Sequence, residues 1–305
     1  MADCIVIGAN GFLGSSLTDA LVERGHAVTA FDRFSGPERR FTSKPAIIEG
    51  DFLDRDAVSA AVAGQGVVFH FLSTTTPATA DNDPARDVLD NLAPSIDLFS
   101  ACVAGGVRRV VFASTGGAIY GEKSVDSVTE DLTPEPISPY AIGKLAIEGY
   151  LAYFRRKHGL ESTSFRISNP YGPRQRSNRA QGVIPTFLER AAKGEPVPVY
   201  GDGSSVRDYV YVDDAIRMIV DTVDVTPQHA VYNIGSGVGT SLAELLAVIG
   251  DVTGSHPTID YQPEPATFVH RSVLDTSRYR EEFGTAVART LREGIGQTWT
   301  EGAGA

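Results

Sequence analysis

An α/β fold, with a parallel sheet that helices cover on both faces, is the fold class predicted by this sequence of 305 residues. Short, continuously apolar runs recur along the first half of the chain, and segments with helical periodicity separate most of them. Apolar strands that alternate with helices are typical of a sheet buried on both faces. Because 42% of the residues are hydrophobic, the chain can also bury a sizeable core.

The first half of the chain supplies most of the predicted sheet. Strands are expected at residues 4–7, 27–31, 46–48, 67–69, 110–112 and 162–166. Helices are expected at residues 12–24, 54–63, 84–104 and 140–158, and the first of them stops at Gly25. These elements predict a sheet domain over residues 1–168.

The second half of the chain has a different composition. Pro and Gly become denser after about residue 170, and helices are expected at residues 184–193 and 213–223. Ser241 and Glu244 have the spacing of a capping box at the start of another helix. An apolar run at residues 231–234 predicts that the chain returns to the sheet. We therefore expect a smaller, interleaved C-terminal lobe over residues 169–305, with return segments near residues 206–236.

The composition argues against several classes of function. A net charge of −11 makes the protein a poor candidate for binding nucleic acid or an anionic membrane. Cys4 and Cys102 lie in apolar surroundings without a metal-type spacing, so both are predicted to be buried free thiols in a reducing compartment. The six His form no ligand cluster, no run approaches the ~18 apolar residues of a membrane span, and the N-terminus has no secretory pattern. We therefore expect a soluble, cytoplasmic protein without a structural metal.

Three glycines mark the turn between the first strand and the first helix. Their spacing is GxxGxxG. The first glycine of such a motif makes a tight turn, the second lets the backbone approach a pyrophosphate, and the third lets the helix pack close to the sheet. The helix N-terminus then faces the phosphate charge. This predicts a dinucleotide-binding domain of the Rossmann type, with cofactor contacts from Gly8, Asn10, Gly11, Phe12, Leu13 and Gly14.

Asp32 ends the second predicted strand, where a carboxylate can accept hydrogen bonds from the adenosine ribose. Its charge would repel a 2′-phosphate, which favours NAD over NADP, although Arg33 beside it could accommodate that phosphate. Asp51 and Phe52 follow the third strand and are predicted to edge the adenine, with a plain loop as the alternative.

Tyr140 and Lys144 occur four residues apart in a predicted helix, so they lie one above the other on the same face. An adjacent cation lowers the cost of ionising a phenol, which lets such a Tyr act as a base near neutral pH. A half-buried Tyr beside a solvated Lys is the alternative interpretation. The glycine turn earlier in the chain favours the interpretation that Tyr140 acts as a base.

With these motifs in order, the chain resembles the extended short-chain dehydrogenase/reductases, and within them the NAD-dependent nucleotide-sugar epimerases and dehydratases. UDP-hexose 4-epimerases look closest. The resemblance runs from Ile5 to about Thr300 and rests on the segments GANGFLG, GDFLD, STGGAIYG, SPYAIGK, SNPYGPRQ, VYGDGSSVRDYVYVDD and SVLDTSR. It implies a sheet domain that binds NAD and a C-terminal lobe that binds a nucleotide-diphosphate sugar. It also implies a homodimer that pairs through the helices near residues 84–104 and 140–158.

The resemblance implies that Tyr140 is the general base, with Lys144 lowering its pKa and hydrogen-bonding the nicotinamide ribose. The family's third catalytic group is a Ser or Thr at a position that Gly116 occupies here. Thr115 is therefore the expected hydroxyl on the sugar oxygen, and Ser114 is the second candidate. The alternative is that both only finish a strand and cap a turn. No carboxylate follows Thr115, where 4,6-dehydratases of the family carry Asp-Glu, so the resemblance argues against that reaction.

Asn169 and Arg207 match an Asn and an Arg that family members place at the substrate phosphates. A guanidinium can donate two parallel hydrogen bonds to a diphosphate. A surface salt bridge with Asp208 or Asp213 is the alternative for Arg207. The resemblance also implies that Arg271 contacts a phosphate. It places three further residues beside the nucleobase, namely Val183, Val199 and Tyr200. Packing of these three side chains in the core would give the same sequence pattern.

Residues 262–271 depart from the Arg-x-Gly-Asp loop of many epimerases. The acidic ribose contact of that loop is missing, or Glu264 replaces it. Ser272 aligns with the position that limits sugar size in 4-epimerases. A small residue there would admit an N-acetylated or otherwise bulky hexose.

The sequence thus predicts NAD-dependent epimerisation of a nucleotide-diphosphate hexose at carbon 4, of the UDP-glucose/UDP-galactose type, through a transient 4-keto sugar. The alternative enzyme is a nucleotide-sugar 4-ketoreductase or another oxidoreductase of the family. The alternative of another class is a non-catalytic dinucleotide-sensing protein. Such proteins tend to lose the Tyr–Lys pair or the substrate Arg and Asn, and this chain keeps all of them.

Overall fold

A seven-stranded parallel sheet forms the centre of the first of two units into which the chain divides. The computed structural model describes residues 1–35, 39–175, 182–265, 267–284 and 287–302. Unit 1 consists of Met1–Thr115, Ser138–Arg166 and Ile216–Tyr232, and unit 2 consists of Gly116–Ile137, Ile167–Ala215 and Asn233–Ala305. The predicted α/β fold class is confirmed.

The elements follow one another in an order that alternates strand and helix through most of unit 1. The strands are β1 (Asp3–Ile7), β2 (Ala27–Asp32), β3 (Ala46–Glu49), β4 (Val67–His70), β5 (Arg109–Thr115), β6 (Glu161–Ile167), β7 (Asn169–Tyr171), β8 (Val197–Tyr200), β9 (Val206–Tyr211), β10 (Val231–Ile234), β11 (Gly239–Ser241), β12 (Ile259–Gln262) and β13 (Arg271–Ser272). The helices are α1 (Phe12–Glu23), α2 (Arg55–Val62), α3 (Pro77–Asn82), α4 (Pro84–Asp87), α5 (Ala93–Ala104), α6 (Gly116–Ile119), α7 (Pro139–His158), α8 (Val183–Lys193), α9 (Val212–Val220), α10 (Leu242–Thr253), α11 (Ser277–Phe283) and α12 (Leu291–Gly302).

The central sheet has the strand order β3-β2-β1-β4-β5-β6-β10. β1 pairs in parallel with β2 on one side and β4 on the other, with Ile5 opposite both Thr29 and Val68. The order therefore reverses between β1 and β4. Crevices for ligands form beyond the carboxyl ends of strands at such a reversal. The glycine turn after β1 lies at this point of the sheet.

Both faces of the sheet are buried at its centre, whereas the edge strand β3 is largely exposed. Ile5 and Ile7 belong to a core cluster with Leu98 of α5 and Leu151 of α7. Neighbouring side chains of a strand point to opposite faces, and Val6, between them, is equally inaccessible. Cys4 and Cys102 are buried free thiols, as predicted, and burial raises the pKa of each to about 12.

The predicted helix at residues 84–104 is confirmed in its limits, and it contains a π-helical turn that was not predicted. α4 ends at Asp87, and a π-helical turn at Val88–Leu92 separates it from α5. In that turn the Ala93 N–H donates to the Val88 carbonyl, one residue further back than in an α-helix. Pro94 explains the change, because it has no N–H and its ring would clash with the carbonyl four residues earlier.

In unit 2, β9 is the common neighbour of three short strands. It pairs in parallel with β7 and β13 and antiparallel with β11, while β8 and β12 form a separate parallel pair. α10 begins at the predicted capping box, where Ser241 and Glu244 exchange hydrogen bonds, and it packs against α8 and α12. Across the described ranges, the helices include none whose length and apolar character would let it span a bilayer.

Candidate active site

The glycine turn joins β1 to α1 in unit 1. Gly8 has a φ of +89°, and a Cβ at this residue would lie 2.8 Å from the backbone of Leu72. A Cβ on Gly14 would lie 2.0 Å from the Gly8 carbonyl oxygen, so only glycine lets α1 pack this close to the turn. Gly11 is the N-cap residue of α1 and makes no side-chain capping hydrogen bond. The first N–H groups of α1 therefore lack a side-chain cap, which leaves them suited to bind an anion.

Asp32 is tied to the glycine turn by a backbone hydrogen bond. The Asn10 N–H donates to Asp32 Oδ2 over 2.9 Å, and the Arg33 N–H donates to Asp32 Oδ1 over 2.8 Å. The Asn10 side chain accepts from the Arg40 N–H, which holds the loop after β2 against the turn. The carboxylate therefore lies beside the N-terminus of α1, whose first two residues are Phe12 and Leu13.

A cavity of about 420 Å³ in unit 1 is lined by both residues predicted to edge the adenine, Asp51 and Phe52. Arg33, Thr74 and Thr75 line it as well. The two threonines were not among the predicted contacts, and they belong to a run of four hydroxyl residues at positions 73–76. The cavity has the size of a small-molecule site.

Tyr140 and Lys144 lie in the first turns of α7. Ser138 caps this helix by accepting a hydrogen bond from the Ala141 N–H. The Lys144 ammonium donates to the carbonyl of Ala113 on β5 over 2.9 Å and lies 5.7 Å from the centre of the Tyr140 ring. Lys144 is buried. The alternative of a solvated Lys is therefore wrong.

The protein's own groups do not lower the pKa of Tyr140. Burial and the Asp87 carboxylate raise it to about 12, because both disfavour a phenolate. Burial lowers the pKa of Lys144 to about 8, against the opposing effect of the carboxylates of Asp87 and Glu148. The structure thus differs from the expectation that the adjacent Lys144 lowers the pKa of the phenol, because desolvation and the Asp87 carboxylate both raise that pKa.

The two candidate hydroxyls at the end of β5 have different surroundings. Ser114 Oγ donates to Glu148 Oε1 over 2.5 Å, so its proton is engaged inside unit 1. The Thr115 hydroxyl has no hydrogen-bond partner among the described residues. This difference favours Thr115 over Ser114 as a group that could bind a ligand.

Glu148 and Arg166 form a buried ion pair that was not predicted from the sequence. The Arg166 guanidinium donates to Glu148 through Nε, at 3.2 Å, and Nη2, at 2.8 Å. Glu148 lies one helical turn beyond Lys144, on the same face of α7. Both side chains hydrogen-bond to β5 and so fix the helix to this strand.

In unit 2, the predicted phosphate-binding residues lie on β9 and its neighbours. Asn169 begins β7, and its Nδ2 donates to the Asp208 carbonyl over 3.0 Å. A Cβ on Gly117 would lie 3.4 Å from Asn169 Oδ1, which places α6 beside this amide. Arg207 lies on β9 next to Asp208.

The Arg207 guanidinium donates only to backbone carbonyls among the described residues. Nη1 reaches the carbonyl oxygens of Val206 and His270, and Nη2 reaches that of Val269. The salt-bridge alternative is therefore wrong. The Asp208 carboxylate instead accepts from residues 236, 237 and 274, and Asp213 lies against Arg289. Burial lowers the pKa of Arg207, as expected for a cation without an ion-pair partner.

The other predicted substrate residues of unit 2 have varied surroundings. Arg271 is the first residue of β13, and its Nε donates to the Asp126 carbonyl. Ser272 is buried and pairs with Arg207 across the β13–β9 ladder. Val199 is a core residue at 1% exposure, whereas Tyr200 is 48% exposed. Val183 is the first, half-buried residue of α8.

Glu264 lies beside the turn that follows β8. A Cβ on Gly201 would meet Glu264 Oε1 at 2.4 Å, and Oε2 lies 3.7 Å from His270 Nε2. Among the described residues, no group of three or more His, Cys, Asp or Glu side chains could hold a metal ion.

Comparison with known proteins gives the same family from a family profile and from an individual relative. The profile of the family described as "NAD dependent epimerase/dehydratase family" matches residues 4–235. A UDP-glucose 4-epimerase of Mycolicibacterium smegmatis is 34% identical over 301 residues, which cover 96% of each chain.

Two solved structures are similar over nearly the whole chain. The UDP-glucose 4-epimerase of Thermotoga maritima, solved with UDP-glucose, has a TM-score of 0.92 at 35% identity, covering 98% of this chain and 97% of that one. The UDP-glucose 4-epimerase of Thermus thermophilus, solved with NAD, has a TM-score of 0.92 at 33% identity, covering 99% of each chain.

Proposed function

The chain belongs to the NAD-dependent epimerase/dehydratase family, and from that membership we propose that it is a 4-epimerase of UDP-hexoses of the UDP-glucose/UDP-galactose type. Its cofactor is NAD. The observation that carries the proposal is the pairing of Tyr140 with the buried Lys144, in a chain that is similar to UDP-glucose 4-epimerases along its whole length.

The residues of unit 1 fit NAD. The uncapped N-terminus of α1 and the open turn at Gly8 and Gly11 suit a pyrophosphate. Asp32 is held beside them and suits the adenosine ribose, and the cavity lined by Asp51 and Phe52 suits the adenine. When bound, NAD would supply the hydride acceptor and then the hydride donor for carbon 4 of the sugar, with no net redox change.

Tyr140 takes the proton of the sugar 4-hydroxyl as the hydride leaves carbon 4, which yields a 4-keto sugar. After the sugar has turned over, Tyr140 returns the proton as the hydride arrives on the other face of carbon 4. Lys144, held by the Ala113 carbonyl, keeps a positive charge near the phenol. The Thr115 hydroxyl hydrogen-bonds the reacting sugar oxygen.

The residues after Thr115 do not support a 4,6-dehydration. That reaction needs an acid for the loss of water. α6 consists of Gly116, Gly117, Ala118 and Ile119, none of which can donate a proton from its side chain.

Unit 2 supplies the groups for the nucleotide diphosphate in this proposal. Arg207 is a half-buried cation without a carboxylate partner among the described residues, so an anion would compensate its charge. Asn169 and Arg271 add polar groups on the neighbouring strands β7 and β13. Tyr200, Val183 and Val199 are assigned to the nucleobase, with Tyr200 the most accessible of the three.

A homodimer is part of the proposal. On α7, Ile142, Tyr150 and Tyr153 are 53%, 39% and 47% exposed, and their spacing puts them on one face of the helix. Val88 and Leu89 of the π-helical turn are exposed as well. α7 packs against α5 and this turn, and a second copy of the chain would cover their apolar side chains. Light scattering would measure the mass in solution, and a monomeric mass would contradict the dimer.

The experiment that tests the proposed function uses purified protein without added cofactor. It is incubated with a panel of UDP- and dTDP-hexoses, and epimer formation is followed by NMR. We expect UDP-glucose and UDP-galactose to interconvert, and Tyr140→Phe to abolish turnover while NAD stays bound. If no sugar interconverts while added NADH or NADPH is consumed, the protein is a reductase and the proposal is wrong.

The panel also tests the size of the hexose. Ser272 is small and buried, so UDP-N-acetylglucosamine should be epimerised by the wild type. Ser272→Tyr should lose the N-acetylated substrate and keep UDP-glucose. Equal discrimination by the wild type and this variant would contradict the role of Ser272.

A further inference from the structure

Asp87 is a buried carboxylate outside the predicted site. It is 3% exposed and ends α4, immediately before the π-helical turn. Oδ1 accepts hydrogen bonds from the Thr75 hydroxyl and from Asn91 Nδ2. Asn91 also accepts from the Thr74 N–H and hydroxyl. A carboxylate is retained in such a place only when hydrogen bonds compensate its lost hydration, and here they fix its position.

The carboxylate of Asp87 faces α7 between the two residues of the proposed reacting pair. A Cβ built on Gly143 would lie 2.1 Å from Asp87 Oδ2, so only glycine admits the carboxylate at this point of the helix. Gly143 follows Tyr140 by three residues and directly precedes Lys144. α3, α4 and the π-helical turn all pack against this helix.

The negative charge of Asp87 acts on both members of the pair. Burial raises the pKa of Tyr140, and Asp87 raises it further. Burial lowers the pKa of Lys144, and Asp87, followed by Glu148, opposes that effect. His70 on β4 also lies near Lys144, but it stays neutral because burial lowers its pKa to about 3.

Other charged side chains on the elements packed against α7 are paired, hydrogen-bonded to backbone carbonyls, or at least partly exposed. Arg166 is paired with Glu148, Arg109 donates to backbone carbonyls, and the exposed or partly exposed carboxylates are those of Asp81, Asp90 and Asp97. Asp87 is therefore the buried anion that affects the phenol most directly.

We propose that Asp87 is a positioning residue for the Tyr140–Lys144 pair, a buried anion seated on α7 at Gly143 that sets the pH range in which the pair works. The proposal rests on the proposed function, which assigns the reacting proton to this pair.

Asp87→Asn tests the proposal, because asparagine keeps the shape and the acceptor oxygen while it removes the charge. Loss of the negative charge makes both the phenol and the ammonium give up their protons at lower pH. The whole bell-shaped profile of kcat against pH should therefore move to lower pH by about one unit, as for a unit charge within ~10 Å at an effective dielectric constant near 20. Asp81→Asn, an exposed carboxylate on α3, is the matched control and should leave the profile in place.

A second readout does not depend on turnover. Tyrosinate absorbance is titrated in the wild type and in Asp87→Asn, each against its own Tyr140→Phe derivative, so that the difference reports Tyr140 alone. Asp87→Asn should lower that titration midpoint by about one unit. If the wild type does not epimerise any sugar, the proposed function fails, but this titration still tests Asp87.

A lower kcat with an unmoved profile and an unmoved Tyr140 midpoint would overturn the proposal, since it would show a structural role only. Should Asp87→Asn fail to fold, Gly143→Ala/Asp87→Ala removes the charge and fills the space with a helix-favouring residue. It should show the same shift to lower pH. An unshifted profile in that folded variant would also overturn the proposal.

Discussion

Substitution of Glu148 by leucine would remove the carboxylate that pairs with Arg166 inside unit 1. The two side chains are only 7% and 6% exposed, and three hydrogen bonds meet on the Glu148 carboxylate. Breaking a buried ion pair on one side costs about 3–5 kcal/mol, because the remaining charge keeps its desolvation penalty. We expect Glu148→Leu to lower the free energy of unfolding by about that amount.

The double variant Glu148→Leu/Arg166→Met removes both charges of the ion pair. Replacement of both charges by apolar side chains of similar volume is often neutral or stabilising. The double variant should therefore be more stable than Glu148→Leu alone by at least ~2 kcal/mol. Guanidinium denaturation followed by circular dichroism measures these differences, and hydrogen exchange of peptides from α7 and β6 assigns them to unit 1.

Arg155 and Glu161 provide a control on the same helix and strand. Their ion pair spans 3.2 Å between α7 and β6, but the side chains are 44% and 46% exposed. Glu161→Gln should cost less than ~1 kcal/mol, because solvent screens such pairs. A loss of unfolding free energy in Glu148→Leu as small as that in Glu161→Gln would refute the assigned cost of breaking the buried ion pair. So would a double variant whose loss equals the sum of the losses in Glu148→Leu and Arg166→Met.

Three further predictions concern protonation and the end of β5. Because burial lowers the pKa of His70 to about 3, this His is neutral in the folded protein, so unfolding becomes easier as the pH falls below 6.5. The free energy of unfolding should fall by about 2 kcal/mol between pH 7 and pH 5, as measured by denaturation. If His70→Phe loses stability with falling pH as steeply as the wild type does, this prediction is contradicted. Burial lowers the pKa of Lys144 to about 8. We therefore expect kcat to decline as the pH rises through this value, because the ammonium is lost. A kcat that stays constant well above pH 8 would contradict the role of the Lys144 charge. Thr115→Val should reduce kcat by about 10²-fold or more, whereas Ser114→Ala should affect stability more than kcat, and the reverse ranking would exchange the two roles.

The centre of the sheet could be predicted closely from the sequence because its strands are buried on both faces. A continuous apolar run between polar turns has few alternatives, and β1, β2 and β4 begin and end within one residue of the predicted limits. The start of α7 was also predictable. Ser138 and Pro139 supply an N-cap residue and the preferred first residue of a helix.

The π-helical turn could not be predicted from periodicity. The apolar pattern of residues 84–104 suits one helix, and only the missing N–H and the ring of Pro94 show where the hydrogen bonding changes. The difference between Ser114 and Thr115 was equally hidden. Both are hydroxyl residues at the end of one strand, and they are distinguished by Glu148, which comes close only when α7 packs on β5.

The electrostatic state of Tyr140 depends on residues that are distant in the sequence. Spacing on one helix predicted that Lys144 is near the phenol and that the adjacent cation lowers the cost of ionising Tyr140. The structure adds burial and the carboxylate of Asp87, both of which keep the phenol protonated. A base is then formed only when further positive charge or a hydrogen bond to the phenolate arrives with the ligands. The same carboxylate helps to keep Lys144 charged at neutral pH, so Asp87 opposes ionisation of Tyr140 while it preserves the cation that this ionisation requires.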